Sequence, residues 1–258
     1  VHRSYDSHRF SPLNEINRST VKNLKLAYAV PLGGWEPSEL GNSVPMFDPE
    51  YRPGDNLYSN TALALDIETG KLVWYFQYTP GDYFDFDETG SHLLIDREIN
   101  GEKRKVVAHF GRNGFFYRLD RTNGSFIGAN EYVEKLSWTK GIDQNTGKPL
   151  GYDPSADVQE YVKGIVPRRD GPDRVTSCPH VQGGVNYWPT AYNPDLKLAY
   201  GASIEACQDI ILRGQGQGEL LDSFREFRGA GEPFLAGGVA VRGRQKGALL
   251  ALDVATGT

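Results

Sequence analysis

Methionine occurs once in this 258-residue chain, cysteine twice and histidine five times. Two cysteines, Cys178 and Cys207, are too few for a disulfide scaffold. By their number alone they read equally as buried thiols or as one bridge in an oxidising compartment. The five histidines (His2, His8, His92, His109, His180) are scattered, and HExxH, CxxC and GxSxG are all missing. This argues against a histidine-held metal and against the common nucleophile motifs. No apolar run reaches the roughly 18 residues that a bilayer span needs. The net charge of −5 gives no electrostatic reason to expect nucleic acid or an anionic membrane surface. No signal peptide starts at Val1, so the chain is expected to be cytosolic or already processed.

Glycine and aromatics are plentiful instead: 30 Gly, 14 Tyr, 12 Phe and 4 Trp. That balance favours strands and tight turns over helices. An internal repeat supports an all-β reading. The stretch Ala64-x-Asp66-x-x-Thr69-Gly70-x-x-x-Trp74 is echoed by Leu119-Asp120-Arg-Thr-Asn-Gly124 and by Leu250-Ala-Leu-Asp-Val-Ala-Thr-Gly257. A degenerate copy is Tyr192-Asn-Pro-Asp195. The unit is a strand, a turn built on Asp and Gly, and a second strand whose Trp packs between neighbouring sheets. Asp66 and Asp120 are 54 residues apart, beyond the ~40–50 of short-repeat propellers, so long loops are expected.

Strand-like runs occur at 63–66, 72–76, 105–109 and 114–119. Ser19 and Thr20 are candidates to cap a short helical turn at 21–23, and residues 220–227 form a second helical candidate. Residues 140–172 are polar and turn-rich and read as a long surface excursion. Gly214-Gln-Gly-Gln-Gly218 lacks GxGxxG spacing and reads as linker.

The segment Thr79-Pro-Gly-Asp-Tyr-Phe-Asp-Phe-Asp87 sets Asp82, Asp85 and Asp87 among aromatics. Such carboxylates can serve metal or base chemistry. Taken alone, Asp85 reads as a turn residue, Arg112-Asn113-Gly114 as a hairpin turn, Asn42 as a loop residue, and Asn186 as a turn cap. Asp82 and Asp87 read as structural or solvent-facing. Asp82 with Asp85 makes a poor glycosidase pair, since positions i and i+3 of an extended segment point to opposite faces.

Five pieces, taken in order, resemble the quinoprotein alcohol dehydrogenases. They are residues 9–24; Gly41-Asn-Ser-Val-Pro45 with Arg52-Pro-Gly-Asp-Asn-Leu57; the segment 79–85; His109-Phe-Gly-Arg-Asn-Gly-Phe-Phe-Tyr117; and Cys178-Pro-His-Val-Gln-Gly-Gly-Val-Asn186 with Cys207. The resemblance implies an all-β, eight-bladed propeller of which residues 1–258 form one incomplete domain. Residues 1–34 would be an N-terminal segment and 38–258 about four blades with long loops. It implies pyrroloquinoline quinone (PQQ) and Ca2+ as cofactors and oxidation of a primary or secondary alcohol. Asp85 becomes the catalytic base and, with Asn42, a metal ligand. Arg112 becomes the cation beside the quinone oxygens and Asn186 a cofactor contact. A Cys178–Cys207 disulfide, a periplasmic location and a separate electron acceptor such as a cytochrome c follow, with no nucleic acid and no membrane span. Relative to that family, the chain is expected to lack several blades, a glutamate metal ligand and a tryptophan beneath the quinone. The competing reading is a non-catalytic propeller-like binding or scaffold module with an incomplete quinone site.

Overall fold

Five turns of one kind punctuate the described residues, and each is built by an Asp or Asn that folds the next backbone residues onto itself. The computed structural model describes residues 15–25, 46–168, 174–212 and 237–258. At Asp66 the carboxylate accepts from Thr69 N–H at 2.7 Å, while Gly70 N–H donates to the Asp66 carbonyl at 2.8 Å. The same pair of bonds recurs at Asp143 and Asp253, closed by Gly147 and Gly257. At Asp120, closed by Gly124, the carboxylate accepts instead from Thr122 N–H two residues on. The closing glycine of these four turns has φ between 69° and 81°, a left-handed conformation that glycine adopts without penalty. The degenerate copy is centred on Asn193, not on Asp195. Asn193 Oδ1 accepts from Leu196 N–H at 3.0 Å, and Lys197 takes the glycine position at φ 63°.

The turns connect antiparallel strands. Strands β1 (Thr61–Leu65) and β2 (Leu72–Gln77) form a two-stranded sheet. Strands β3 (Leu93–Ile99), β4 (Glu102–Phe110), β5 (Phe115–Asp120) and β6 (Phe126–Glu131) form a four-stranded meander. A third sheet has β7 (Arg174–Ser177), β8 (Ala191–Asn193) and β10 (Gly237–Asp253) all paired to the long β9 (Leu198–Leu212). The four runs expected from sequence lie on β1, β2, β4 and β5.

Two-residue alternation gives the meander two apolar faces. Val107, Phe115, Tyr117 and Leu119 face a cluster shared with Phe76 of the first sheet. Val106, Ala108, Phe110 and Phe116 face a cluster shared with Val185, Tyr192, Ala199 and Val254. Trp74 locks the first sheet to the second, as its place in the repeat predicts. Its indole N–H donates to the Arg121 carbonyl at 3.1 Å, and a Cβ on Gly124 would lie 2.7 Å from the ring. Glycine is therefore needed at 124 for close approach as well as for its φ.

Two expectations are revised. Residues 140–168 are not simply a surface excursion: Ile142, Tyr161, Ile165 and Val166 are buried in the core, and the segment carries the unforeseen Asp143 turn. Val21–Asn23 does form a 3-10 turn, but Thr20 supplies no side-chain cap; Asn17 Oδ1 accepts from Ser19 and Thr20 N–H instead. The helical candidate at 220–227 and the linker at 214–218 lie outside the described residues. A disulfide joins Cys178 to Cys207, as the resemblance implied.

Candidate active site

The acidic loop after β2 is shaped by its own first carboxylate. Asp82 accepts from the N–H groups of Phe84 and Phe86, both at 2.9 Å, and is thereby spent on local structure. Arg52 secures the same point by donating to the Asp82 carbonyl and to Asn56. Burial lowers the Arg52 pKa to about 10, with Asp82 and Asp48 raising it in part. The clamp drives Phe84 and Phe86 fully into the core against Trp138. Asp85 adopts φ 69°, an uncommon conformation for a residue with a side chain. With the phenylalanines inside, Asp85 and Asp87 both reach Arg112.

Arg112 sits in the turn between β4 and β5, closed by Gly114 N–H donating to the Gly111 carbonyl at 3.1 Å. The hairpin reading of Arg112-Asn113-Gly114 is thus correct, yet the arginine is no exposed flanking cation, at 5% exposure. Its Nη2 lies 3.6 Å from Asp85 Oδ2, its Nη1 pairs with the Asp87 carboxylate, and it donates to the Val181 carbonyl. Burial lowers the Arg112 pKa, while Asp85 and Asp82 pull it back up. Asp87 is therefore a buried ion-pair partner, not a solvent-facing residue.

The third wall is the loop 181–186. Gly184 N–H donates to the Arg112 carbonyl at 2.9 Å, and a Cβ on Gly183 would strike Arg112 at 2.6 Å. Asn186 closes this loop: its Nδ2 donates to the Gln182 carbonyl at 2.8 Å and its Oδ1 accepts from Tyr187 N–H at 2.7 Å. Asp85 and Arg112 thus meet directly, while Asn186 joins them through the loop it closes. Asn42 lies outside the described residues.

Behind the loop lies a polar cluster with no counterpart in the sequence pattern. Glu88 Oε2 is 2.7 Å from His109 Nε2, with both side chains 1% exposed. His109 stacks on His92, ring centroids 4.0 Å apart, and His92 Nε2 is 3.0 Å from Tyr78 Oη. Desolvation raises the Glu88 pKa well above its ordinary value and lowers that of His109 to about 4. The pair is held neutral, the Glu88 carboxyl donating to His109 Nε2 and His109 Nδ1–H donating to Ser91 O. Residues 21 apart on a loop and a strand carry no local pattern that announces such a contact.

Among the described residues, no three His, Cys, Asp or Glu side chains are grouped as a metal centre. The donor chemistry nevertheless suits a hard cation. Asp85 and Asp87 set two carboxylates of 12% and 8% exposure against one guanidinium. Carboxylate oxygens are the donor type that a hard cation takes.

The fold of antiparallel sheets joined by Asp–Gly turns accords with the comparisons, which place the chain among the PQQ-type β-propellers. Residues 39–131 match the family model described as the β-propeller domain of PQQ glucose/ethanol/alcohol dehydrogenases. The chain is 41% identical over 147 residues to a quinohemoprotein alcohol dehydrogenase from Comamonas testosteroni, covering 57% of this chain and 19% of that protein. It is 40% identical over 177 residues to the quinoprotein alcohol dehydrogenase PedH from Pseudomonas putida, covering 67% and 28% respectively. A europium-containing methanol dehydrogenase structure superposes with TM-score 0.66 at 26% identity, over 83% of this chain and 34% of that one. The Comamonas testosteroni enzyme structure gives TM-score 0.62 at 30% identity, over 79% and 28%. The chain belongs to the quinoprotein alcohol dehydrogenase family, and it spans less than a third of the length of these curated relatives.

Proposed function

We propose that this chain carries part of the catalytic face of an enzyme that oxidises a primary or secondary alcohol with PQQ and a hard metal cation, Asp85 acting as the base. The observation that carries this reading is the meeting of Asp85 and Arg112, 3.6 Å apart although 27 residues separate them, inside the segment that matches the family model. When bound, PQQ would supply the two-electron oxidising capacity, as hydride acceptor, and the cation Lewis-acid polarisation. Asp85, as carboxylate, takes the hydroxyl proton onto an Oδ. Arg112 keeps its charge at neutral pH and supplies fixed positive potential where oxyanion charge develops. Asn42 and Asp85 offer oxygen ligands to the cation, and Asn186 orders the loop that supports Arg112 and contacts the cofactor. Ca2+ is the first candidate ion; the europium-containing neighbour makes a trivalent ion the alternative. Electrons pass to a separate acceptor such as a cytochrome c. A periplasmic setting accords with the Cys178–Cys207 disulfide, and no helix among the described residues is long and apolar enough to cross a membrane.

The test is Asp85→Asn in the complete enzyme, with PQQ and Ca2+ binding measured in parallel. Loss of a positioned base is expected to lower kcat by about 10²–10⁴-fold with the melting temperature retained. Full quinone-dependent turnover by Asp85→Asn overturns the assignment. If neither cofactor binds the wild-type protein, the scaffold reading replaces it.

A further inference from the structure

We infer that Glu88 is a positioning residue, whose carboxyl ties the acidic loop to the end of β4 and to the Arg112 backbone and so sets the spacing between Asp85 and Arg112. The inference rests on the alcohol dehydrogenase reading and extends it to a residue that touches neither substrate nor cofactor. Glu88 follows Asp87 directly and lies three residues after Asp85. Its Oε2 bonds His109 Nε2 at 2.7 Å and accepts from Arg112 N–H at 3.3 Å. One carboxyl therefore holds both the strand and the turn that present the arginine. His109 is fixed from the other sides by Ser91 O, at 3.3 Å from its Nδ1, and by the stacked His92 ring. The space depends on two glycines: a Cβ on Gly111 would lie 3.2 Å from Glu88 Oε1, and one on Gly90 would lie 3.3 Å from His109 Cε1. A buried carboxyl that merely filled volume would be inferior to an apolar side chain of the same size. Its hydrogen bonds are what an apolar residue lacks.

The test compares Glu88→Leu with Glu88→Gln in the complete enzyme, by steady-state kinetics and by crystal structure. Leucine fills the volume without the bonds, whereas glutamine keeps an N–H donor for His109 Nε2. Glu88→Leu is expected to lower kcat by about 10–100-fold with little change in KM, because small misplacements of catalytic groups cost that much. In its structure, the Arg112 Nη2–Asp85 Oδ2 separation should exceed the present 3.6 Å by more than about 1 Å. Glu88→Gln should remain within about threefold of wild type. Wild-type kcat in Glu88→Leu, or an unchanged separation, overturns the inference. If Glu88→Leu does not fold, the same separation is measured in His109→Gln: a widened gap supports the inference and an unchanged one overturns it. Failure of the functional reading is distinguishable: it appears as an active Asp85→Asn enzyme, while the separation still judges Glu88.

Discussion

The β3–β6 meander and the β9–β10 hairpin are both long antiparallel pairings, but they differ in what covers them. The meander is packed on both faces, and residues 106–119 are buried without interruption. In the hairpin, residues 240–249 of β10 are exposed in an unbroken run, including Leu249 at 80%. The turn that carries Arg112 is mounted on the covered sheet. A buried guanidinium between carboxylates needs surroundings that do not relax, and a sheet clamped from both sides provides them. The hairpin is packed mainly through β9, whose Ala199 and Ile210 are buried. The outer part of β10 is held by backbone pairing, and β9 is tied by the Cys178–Cys207 link to the loop ahead of Asn186.

This contrast can be broken most forcefully at Phe116. It is fully buried on β5 against Phe110, and Phe116→Ala is expected to cost about 3–5 kcal/mol in chemical denaturation. A cost below about 1 kcal/mol would show that the meander relaxes around the cavity. On the hairpin side, replacing Cys178 and Cys207 together by Ser should cost about 2–4 kcal/mol, because the 29-residue loop becomes free in the unfolded chain. Unfolding curves of the variant and the parent, both without reductant, measure it.

A third prediction concerns pH and the cluster behind the site. His109 has a folded pKa of about 4 against an ordinary 6.5, so the unfolded chain binds its proton more tightly. Its contribution is complete above pH ~6.5 and is lost as pH falls toward ~4, about 3 kcal/mol in all. The stacked His92, whose pKa is also lowered by burial, acts in the same direction. Glu88 opposes both, since its raised pKa makes folding most favourable at low pH and less so as pH rises. Tyr78, raised well above 10, does not titrate in this window. Glu88→Gln removes the opposing carboxyl, so its stability should fall more steeply than wild type between pH 6.5 and 4. Parallel curves for the two proteins would contradict the neutral Glu88–His109 pair. The smallest effect is expected at Leu249 of β10: Leu249→Ala should change stability by less than about 0.5 kcal/mol. A larger loss would mean that this exposed strand is covered in solution.

The turns show how far local reading extends. Those at Asp66, Asp120 and Asp253 were legible because the carboxylate, the backbone it folds and the closing glycine lie within five residues. The same chemistry at Asp143 went unread inside a polar stretch, and at Asn193 it was displaced by two residues because Lys197 replaced the expected glycine. Asp85 and Arg112 could be singled out only through resemblance, since their local patterns suit an ordinary turn and an ordinary hairpin.

By itself, then, the order of residues determined the strands, the Asp-centred turns and the tryptophan that joins the first two sheets, because period-two alternation and Asp–Gly turn chemistry act over a few residues. Which charges share the interior was decided by tertiary structure. Asp82 became a backbone clamp and Asp87 a buried partner of Arg112, although both read alike in sequence. Glu88 met His109 across 21 residues because the loop before β3 meets the end of β4 there, with Gly90 and Gly111 leaving the room. Desolvation then held that pair neutral, since burial penalises a charge according to its surroundings and not to its neighbours in the chain.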